Sequence, residues 1–458
     1  MRSLSIFGTS SDAGKSTLSF ALTYLLHERG VKVAPFKAQN VSNNARVCDD
    51  GGEIAVSQHF AAEAINIKTS RFMNPILLKS GTKNKAHLVI NGEAAAEVEA
   101  KSYFKDIHSL EPFVKKAFKK LKKEYECIVA EGAGSPVELN LMDKDLSNIF
   151  VAQTFNNKIV LVADIERGGV FASVVGVYTL LPKRLRENII GVVINKFRGD
   201  ISLFDEGIHI FEERFGIKVL GVVPYKPFNL GFEDAQSLLN YEQDTSKSII
   251  KAGVIALPHM SNFNDFEPLV ADEEIELLFI TNPASAKECD LLILPGSRQV
   301  SDDLLWLKAK GFEPVLGKKN LVAICGGYEM LYERILDPQG IESENKELQG
   351  LGIFKGDVLF KKKKKLAKGE YEVFGIKMQG YEIHNARAKK FYKEEKNVYG
   401  TFMHGLFDSD AFRNKLFTKI NKSYKGYDFQ KYKQKKTEEF ALHVKEHVDI
   451  EYIHKSLL

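Results

Sequence analysis

Cys325 lies in the run VAICGGYEM, where an apolar stretch, Leu321 to Ile324, breaks into Cys-Gly-Gly and then a helical pattern from Tyr328 to Ile335. A strand, a sharp turn and a helix with a thiol at the turn present a nucleophile to the helix N-terminus. Free backbone N–H groups and the helix dipole there favour a thiolate. In LLILPGS, Gly296 follows a strand pattern and can aim its N–H at a developing oxyanion, with Gly326 as the second donor. His404 ends a later strand pattern in GTFMHGLF. A histidine there can take the thiol proton and return it to a departing amine. His384, in GYEIHN, competes for that role but is expected to pack or to contact the other half of the chain.

A second chemistry is written near the start. Gly8 to Thr17 reads GTSSDAGKST, after a strand pattern ending at Phe7 and before a helical one. Gly8 and Gly14 let the backbone wrap phosphate oxygens. Lys15 supplies charge to the terminal phosphates, and Ser16 offers a hydroxyl to Mg²⁺. The expected nucleotide-binding set is Gly8, Thr9, Asp12, Ala13, Gly14, Lys15, Ser16 and Thr17, with Lys37, Asn195 and Lys196 from later strand ends. Five residues rather than four separate Gly8 from Gly14, a spacing that resembles the dethiobiotin synthetase phosphate loop. The segment VINKFRGD resembles a base-recognition strand end. For Mg²⁺ the expected oxygen ligands are Ser16, Asp50 and Glu131, with Glu53 and Asp164 as further acids in similar positions. A thiol nucleophile and an ATP site in one chain follow the logic of an ATP-dependent amidotransferase.

These residues need a scaffold that brings strand ends together. Apolar runs at 4–7, 31–36, 127–130, 159–163, 189–194 and 219–223 alternate with helical patterns such as 16–29 and 112–124. Such alternation predicts a doubly wound, mostly parallel sheet, with ligands at the carboxyl ends of its strands. A polar, aperiodic stretch separates a second alternating block with strands near 251–256, 276–280, 291–294 and 321–324. The expected organisation is an ATP-binding domain over 1–235, a linker over 236–248 and a second α/β domain over 249–458 with a helical tail. A hairpin is expected over roughly 352–383, with the lysine run 361–365 at its turn, either solvated or docking an acidic ligand or partner domain.

The chain has 458 residues, too many for one ordinary core. Its 64 basic and 60 acidic residues nearly balance, which gives no case for nucleic acid. Four cysteines without paired spacing point to a reducing, cytoplasmic setting, and no apolar run is long enough to suggest a membrane span.

The motifs GTSSDAGKS, APFKAQNVSNN, DGGEI, MNPILLK, EGAGSPVELNL, VADIERGGVFAS, INKFRGD, LPGS, ICGGYEML, GYEIH and GTFMHGLF occur in this order. Together they resemble the cobyric acid synthase family, across about residues 1–408. The second half resembles class I glutamine amidotransferases, in which a glutamate often stands two residues after the histidine. Here that position is Leu406, as is common in the cobalamin-pathway branch. The resemblance implies glutamine hydrolysis at Cys325 and use of ATP and Mg²⁺ in the N-terminal domain. It implies amidation of the b, d, e and g carboxylates of adenosylcobyrinic acid a,c-diamide. The expected partners are L-glutamine and a corrinoid polycarboxylate, with a homo-oligomer allowed. Asn74, Lys79 and the 361–365 lysines are candidates to grip the corrin. Two alternatives stay open at this point. One is a cobyrinic acid a,c-diamide synthase-like amidase; the other is a P-loop regulatory ATPase with a non-catalytic amidotransferase-like domain.

Overall fold

The computed structural model describes residues 1–80, 85–228, 230–231 and 243–458. Six strands form the sheet of the first half: Leu4–Gly8, Val33–Phe36, Cys127–Glu131, Lys158–Asp164, Ile189–Phe197 and Val219–Pro224. All pair in parallel. They are the six that the sequence pattern predicts. Helices cover both faces, so the strands are almost wholly buried and read as continuous apolar runs. Leu4–Gly8 lies between Lys158–Asp164 and Cys127–Glu131, and the chain runs outward in both directions from there. That reversal of strand order opens a crevice at the carboxyl ends, under the phosphate loop.

Between Phe36 and Cys127 the chain leaves this sheet. It builds a small sheet from Gln39–Val41, Ile76–Ser80, Lys85–Ile90 and Glu93–Glu99, and a two-stranded ribbon from Ala45–Val47 and Glu53–Ala55. The alternation pattern gave no strand in this region. The insertion carries the face that meets the second half.

The second half has a mixed sheet of Ile275–Ile280, Ile250–Ile255, Leu291–Leu294, Asn320–Ile324, Val398–Thr401 and the antiparallel edge strand Tyr392–Glu395, in that lateral order. Phe354–Val373 and Ile376–Ala388 form the expected hairpin. Its turn is at Phe374 and Gly375, which both take positive φ, and not at the lysine run. Lysines 361–365 lie mid-strand, where the pairing register shifts between Phe360 and Lys365. The bulge turns Lys364 towards the first half.

Most of the expected linker, 236–242, lies outside the described residues. Gln243 already belongs with the second half. Its amide donates to the carbonyls of Leu269, Val270 and Ile275 and accepts from Leu277 N.

The helical tail corrects the expected division. Helices Phe429–His447 and Ile450–Leu457 pack into the first half and not the second. Phe440, Val444, Ile453 and Leu457 share one apolar cluster with Leu4, Phe20 and Val33. The backbone seals the contact through Asp449 N to Leu220 O at 2.8 Å and Arg2 N to Leu457 O at 2.7 Å. Gly221 permits it, because a Cβ there would stand 1.9 Å from the His447 carbonyl oxygen. Amphipathic periodicity announces a helix but not which core it completes.

Candidate active sites in the two halves

In the first half the phosphate loop joins strand Leu4–Gly8 to helix Lys15–Glu28. Gly14 has φ 91°, and a Cβ there would sit 2.1 Å from Asn195 Nδ2. Asn195 Nδ2 donates to the Ala13 carbonyl at 2.9 Å, so a strand end 182 residues away props the loop. Lys15 folds back over the loop, its Nζ 2.8 Å from Ser10 O and its stem against Gly8. Thr9 N bonds to Val162 O, Thr17 Oγ1 to Gly14 O, and Asp12 is exposed beside Arg167.

Glu131 is the hub beneath the loop. It is buried, and its Oε1 accepts from Ser16 Oγ at 2.6 Å and Lys37 Nζ at 2.9 Å. Its Oε2 accepts from Gln58 Nε2 at 3.1 Å. Ser16, Lys37 and Glu131 therefore converge as the sequence predicts. Ser16 and Glu131 supply adjacent hard oxygens, a donor set that fits Mg²⁺. Asp50 does not join them. Its carboxylate caps the turn at Arg71–Met73, accepting from Ser70 Oγ and Arg71 N, and pairs with the Arg71 guanidinium. A carboxylate in a glycine-rich polar run has the look of a metal ligand, but the turn at Arg71–Met73 claims it. Lys196 pairs with buried Asp164 at 3.1 Å.

Cys325 forms the elbow between strand Asn320–Ile324 and the short helix Gly326–Met330, at φ 49° and ψ −111°. This strained conformation is of the kind found at catalytic turns. Ser297 N lies 2.7 Å from where a Gly326 Cβ would stand, and Gly296 packs against His404 Cε1. The two expected oxyanion glycines thus flank the thiol and the imidazole. The resting thiol is not pre-ionised as the dipole argument expects. Burial pushes its pKa well up, Glu329 adds to this, and the Gly326 N–H only partly opposes. A five-residue helix has too small a dipole to reverse burial, so the proton needs a base.

His404 is that candidate base, and an acid holds it. Its Nδ1 lies 2.7 Å from Asp265 Oδ2, while Asp265 Oδ1 accepts from Gly405 N at 2.8 Å. A carboxylate at Nδ1 fixes the tautomer with Nδ1–H, leaving the Nε2 lone pair free. His404 Nε2 is buried without a hydrogen-bond partner and lines the same cavity as Cys325. Tyr381 stacks on the imidazole at 5.2 Å. His384 is engaged elsewhere, with Nε2 on Glu382 and Nδ1 on the Ala386 carbonyl.

The cavity holds about 420 Å³ and reaches across the interface. Its wall includes Glu53 and Lys79 of the insertion as well as Cys325 and His404. Lys364 Nζ of the second half lies 2.9 Å from Glu53 Oε1, and Lys79 pairs with the other oxygen. Burial would raise Glu53, but Lys364 and Lys79 more than offset this and hold it at about 2. Further ties cross the same interface: Arg46 to Asp408 at 3.0 Å, Asn44 Oδ1 accepting from Phe263 N at 2.7 Å, and Lys368 to Asp49 at 2.7 Å. Asn262 Nδ2 also donates to Ala45 O at 2.9 Å.

Residues 4–229 match the family described as the CobQ/CobB/MinD/ParA nucleotide binding domain. Residues 251–412 match the CobB/CobQ-like glutamine amidotransferase domain. The chain is 54% identical to the cobyric acid synthase of Acinetobacter baylyi, over 99% of this chain and 98% of that protein. It is 37% identical to that of Chlorobium chlorochromatii and 36% to that of Geobacillus kaustophilus, each over 98% of this chain and 96% of the relative. The chain belongs to the cobyric acid synthase family. In this member of the family Leu406 is apolar and buried, and the acid beside the histidine is Asp265. Nothing local in the sequence marked it, since Asp265 precedes His404 by 139 residues. Its one sequence signal is a position in the polar run SNFND just after a strand. No helix among the described residues is long and apolar enough to cross a membrane.

Proposed function

We propose that the chain is a glutamine-hydrolysing, ATP-dependent amidoligase that converts the b, d, e and g carboxylates of adenosylcobyrinic acid a,c-diamide to amides, giving adenosylcobyric acid. The observation that carries this reading is the shared cavity. A Cys325–His404–Asp265 arrangement opens onto residues of the nucleotide-binding half, so ammonia made at one site is released against the wall of the other. Family membership along the whole chain supports the corrinoid substrate over the a,c-diamide synthase and regulatory ATPase alternatives.

In this reading His404 Nε2 takes the Cys325 proton as the sulfur attacks the glutamine side-chain carbonyl. The Gly296 and Gly326 N–H groups face the oxyanion. His404 then protonates the leaving ammonia, and water hydrolyses the γ-glutamyl thioester to glutamate. In the first half Lys15 and the loop amides hold ATP while a substrate carboxylate attacks the γ-phosphorus, giving an acyl phosphate and ADP. Ammonia displaces phosphate to leave the amide. Ser16 and Glu131 would hold Mg²⁺, which supplies charge neutralisation at the β- and γ-phosphates when bound. Lys37 neutralises Glu131, and Asn195 keeps the loop in shape.

Incubation of adenosylcobyrinic acid a,c-diamide with the protein, MgATP and glutamine tests this by mass spectrometry. The expected result is four successive mass decrements, each the exchange of OH for NH₂, with NMR locating the amides. Glutamate release without any decrement would reject the corrinoid substrate.

Asp265→Asn is expected to lower the glutamine-dependent turnover by about 10² to 10⁴-fold, because the amide no longer enforces the productive tautomer. Ammonium-dependent amidation should stay at the wild-type rate. Equal losses with both nitrogen sources would mean that Asp265 only supports the fold.

A further inference from the structure

The cavity beside Cys325 is lined by a half-buried basic group and a buried acidic group that the mechanism above does not use. The first is Arg298, one residue beyond the Ser297 that packs on Gly326. Among the described residues no carboxylate lies within ion-pair distance of its guanidinium. Its Nη1 donates to Asn43 Oδ1 at 3.0 Å, and Asn43 belongs to the other half of the chain. The other basic residues on the wall are accounted for: Lys79 and Lys364 are spent on Glu53, and Lys362 is exposed. Burial lowers Arg298 to about 10 against the pull of Glu53 and Glu342, so it remains charged at neutral pH.

The second is Glu329, one helical turn after Cys325. It is 2% exposed, and its Oε2 is buried without a hydrogen-bond partner. Burial and Glu342 raise its pKa well above the ordinary value, so a cation arriving beside it would be needed to hold it ionised. A guanidinium with no carboxylate within ion-pair distance and a carboxyl with an unpartnered oxygen, both lining one cavity, match the two ends of a zwitterion.

Resting on the glutaminase reading of this site, we infer that Arg298 binds the α-carboxylate of glutamine, with Asn43 of the nucleotide-binding half fixing the guanidinium from across the interface. The planar fork of an arginine suits two carboxylate oxygens, and Glu329 then faces the α-ammonium. The substrate's charged end is thereby read by a residue whose aim depends on the other half. Glutamine is bound well only when the interface is closed.

The test is alkylation of Cys325, followed by intact mass. One probe is 6-diazo-5-oxo-L-norleucine, which carries the charged end of glutamine. The other is iodoacetamide, which lacks it. Arg298→Ala should slow labelling by the first probe on the order of 100-fold at sub-saturating concentration. Labelling by iodoacetamide and ammonium-dependent amidation should be unchanged. Arg298→Lys should recover part of the loss, and Asn43→Ala should slow the first probe by a few-fold. Equal slowing with both probes would overturn the inference, since it would mean a distorted thiol site. So would an unchanged rate with the first probe accompanied by a raised requirement for the corrinoid. If wild-type protein reacts with iodoacetamide but neither hydrolyses glutamine nor reacts with the diazo compound, the glutaminase reading itself fails.

Discussion

A Cys325→Ala protein no longer amidates its substrate from glutamine but does so at the wild-type rate from added ammonium salt. The glutamine-dependent rate falls by at least about 10⁴-fold, the scale on which loss of a catalytic nucleophile acts. The geometry makes this a clean experiment. Alanine keeps the β-carbon and removes only the sulfur, which makes a weak contact with the Ile383 carbonyl at 4.0 Å. The strained backbone at φ 49° is inherited by alanine, so the elbow is neither relaxed nor further loaded. Phosphate loop, Glu131 and Lys37 lie in the other half and keep their contacts. Parallel assays with glutamine and with ammonium salt, read as amide formed, decide the matter. Retained glutamine use would reject Cys325 as the nucleophile.

Lys15→Ala has the complementary outcome: amidation is lost with either nitrogen source. The ammonium side chain is the loop's point charge for the terminal phosphates, and a single group of this kind is worth about 10² to 10³-fold or more in turnover. No supply of ammonia substitutes for an acyl phosphate that is never formed. Cys325, His404 and Asp265 remain in place, so basal glutamate release persists and reports an intact second half. Measuring glutamate and amide together in this variant separates the two sites. Amide formation at a wild-type rate would remove Lys15 from the chemistry.

The contrast between these variants mirrors what the sequence could and could not reveal. The phosphate loop and the Cys325 elbow are local devices, with nucleophile, glycines and flanking strand within a dozen residues, and pattern reading finds them. Glu131 was also legible although it meets Ser16 across 115 residues, because an acid at the end of a central parallel strand has few other places to point. Asp265 was not legible. Its partner is chosen by the packing of a short helix against a distant strand end, which no spacing encodes. Asp50 departs from its expected role for a similar reason: it caps the turn Arg71–Met73, 21 residues further on, a use that motif logic ignores. Part of the insertion of residues 39–99 is hidden because three-residue strands such as Ala45–Val47 carry almost no periodic signal. That insertion supplies Asn43, Asn44, Arg46 and Glu53, which reach across to the second half.

The placement of helices Phe429–His447 and Ile450–Leu457 sets an order of events during synthesis. The ribosome makes the first half's sheet early, yet the apolar face around Phe20 and Leu25 stays uncovered until residues 429–457 emerge. The entire glutamine-binding half must be translated in between. The nascent nucleotide-binding half therefore waits with an open flank, and closing that flank is the step that stitches the two halves into one body. A stop codon after residue 412 would spare every motif named above and still leave the first half without its cover.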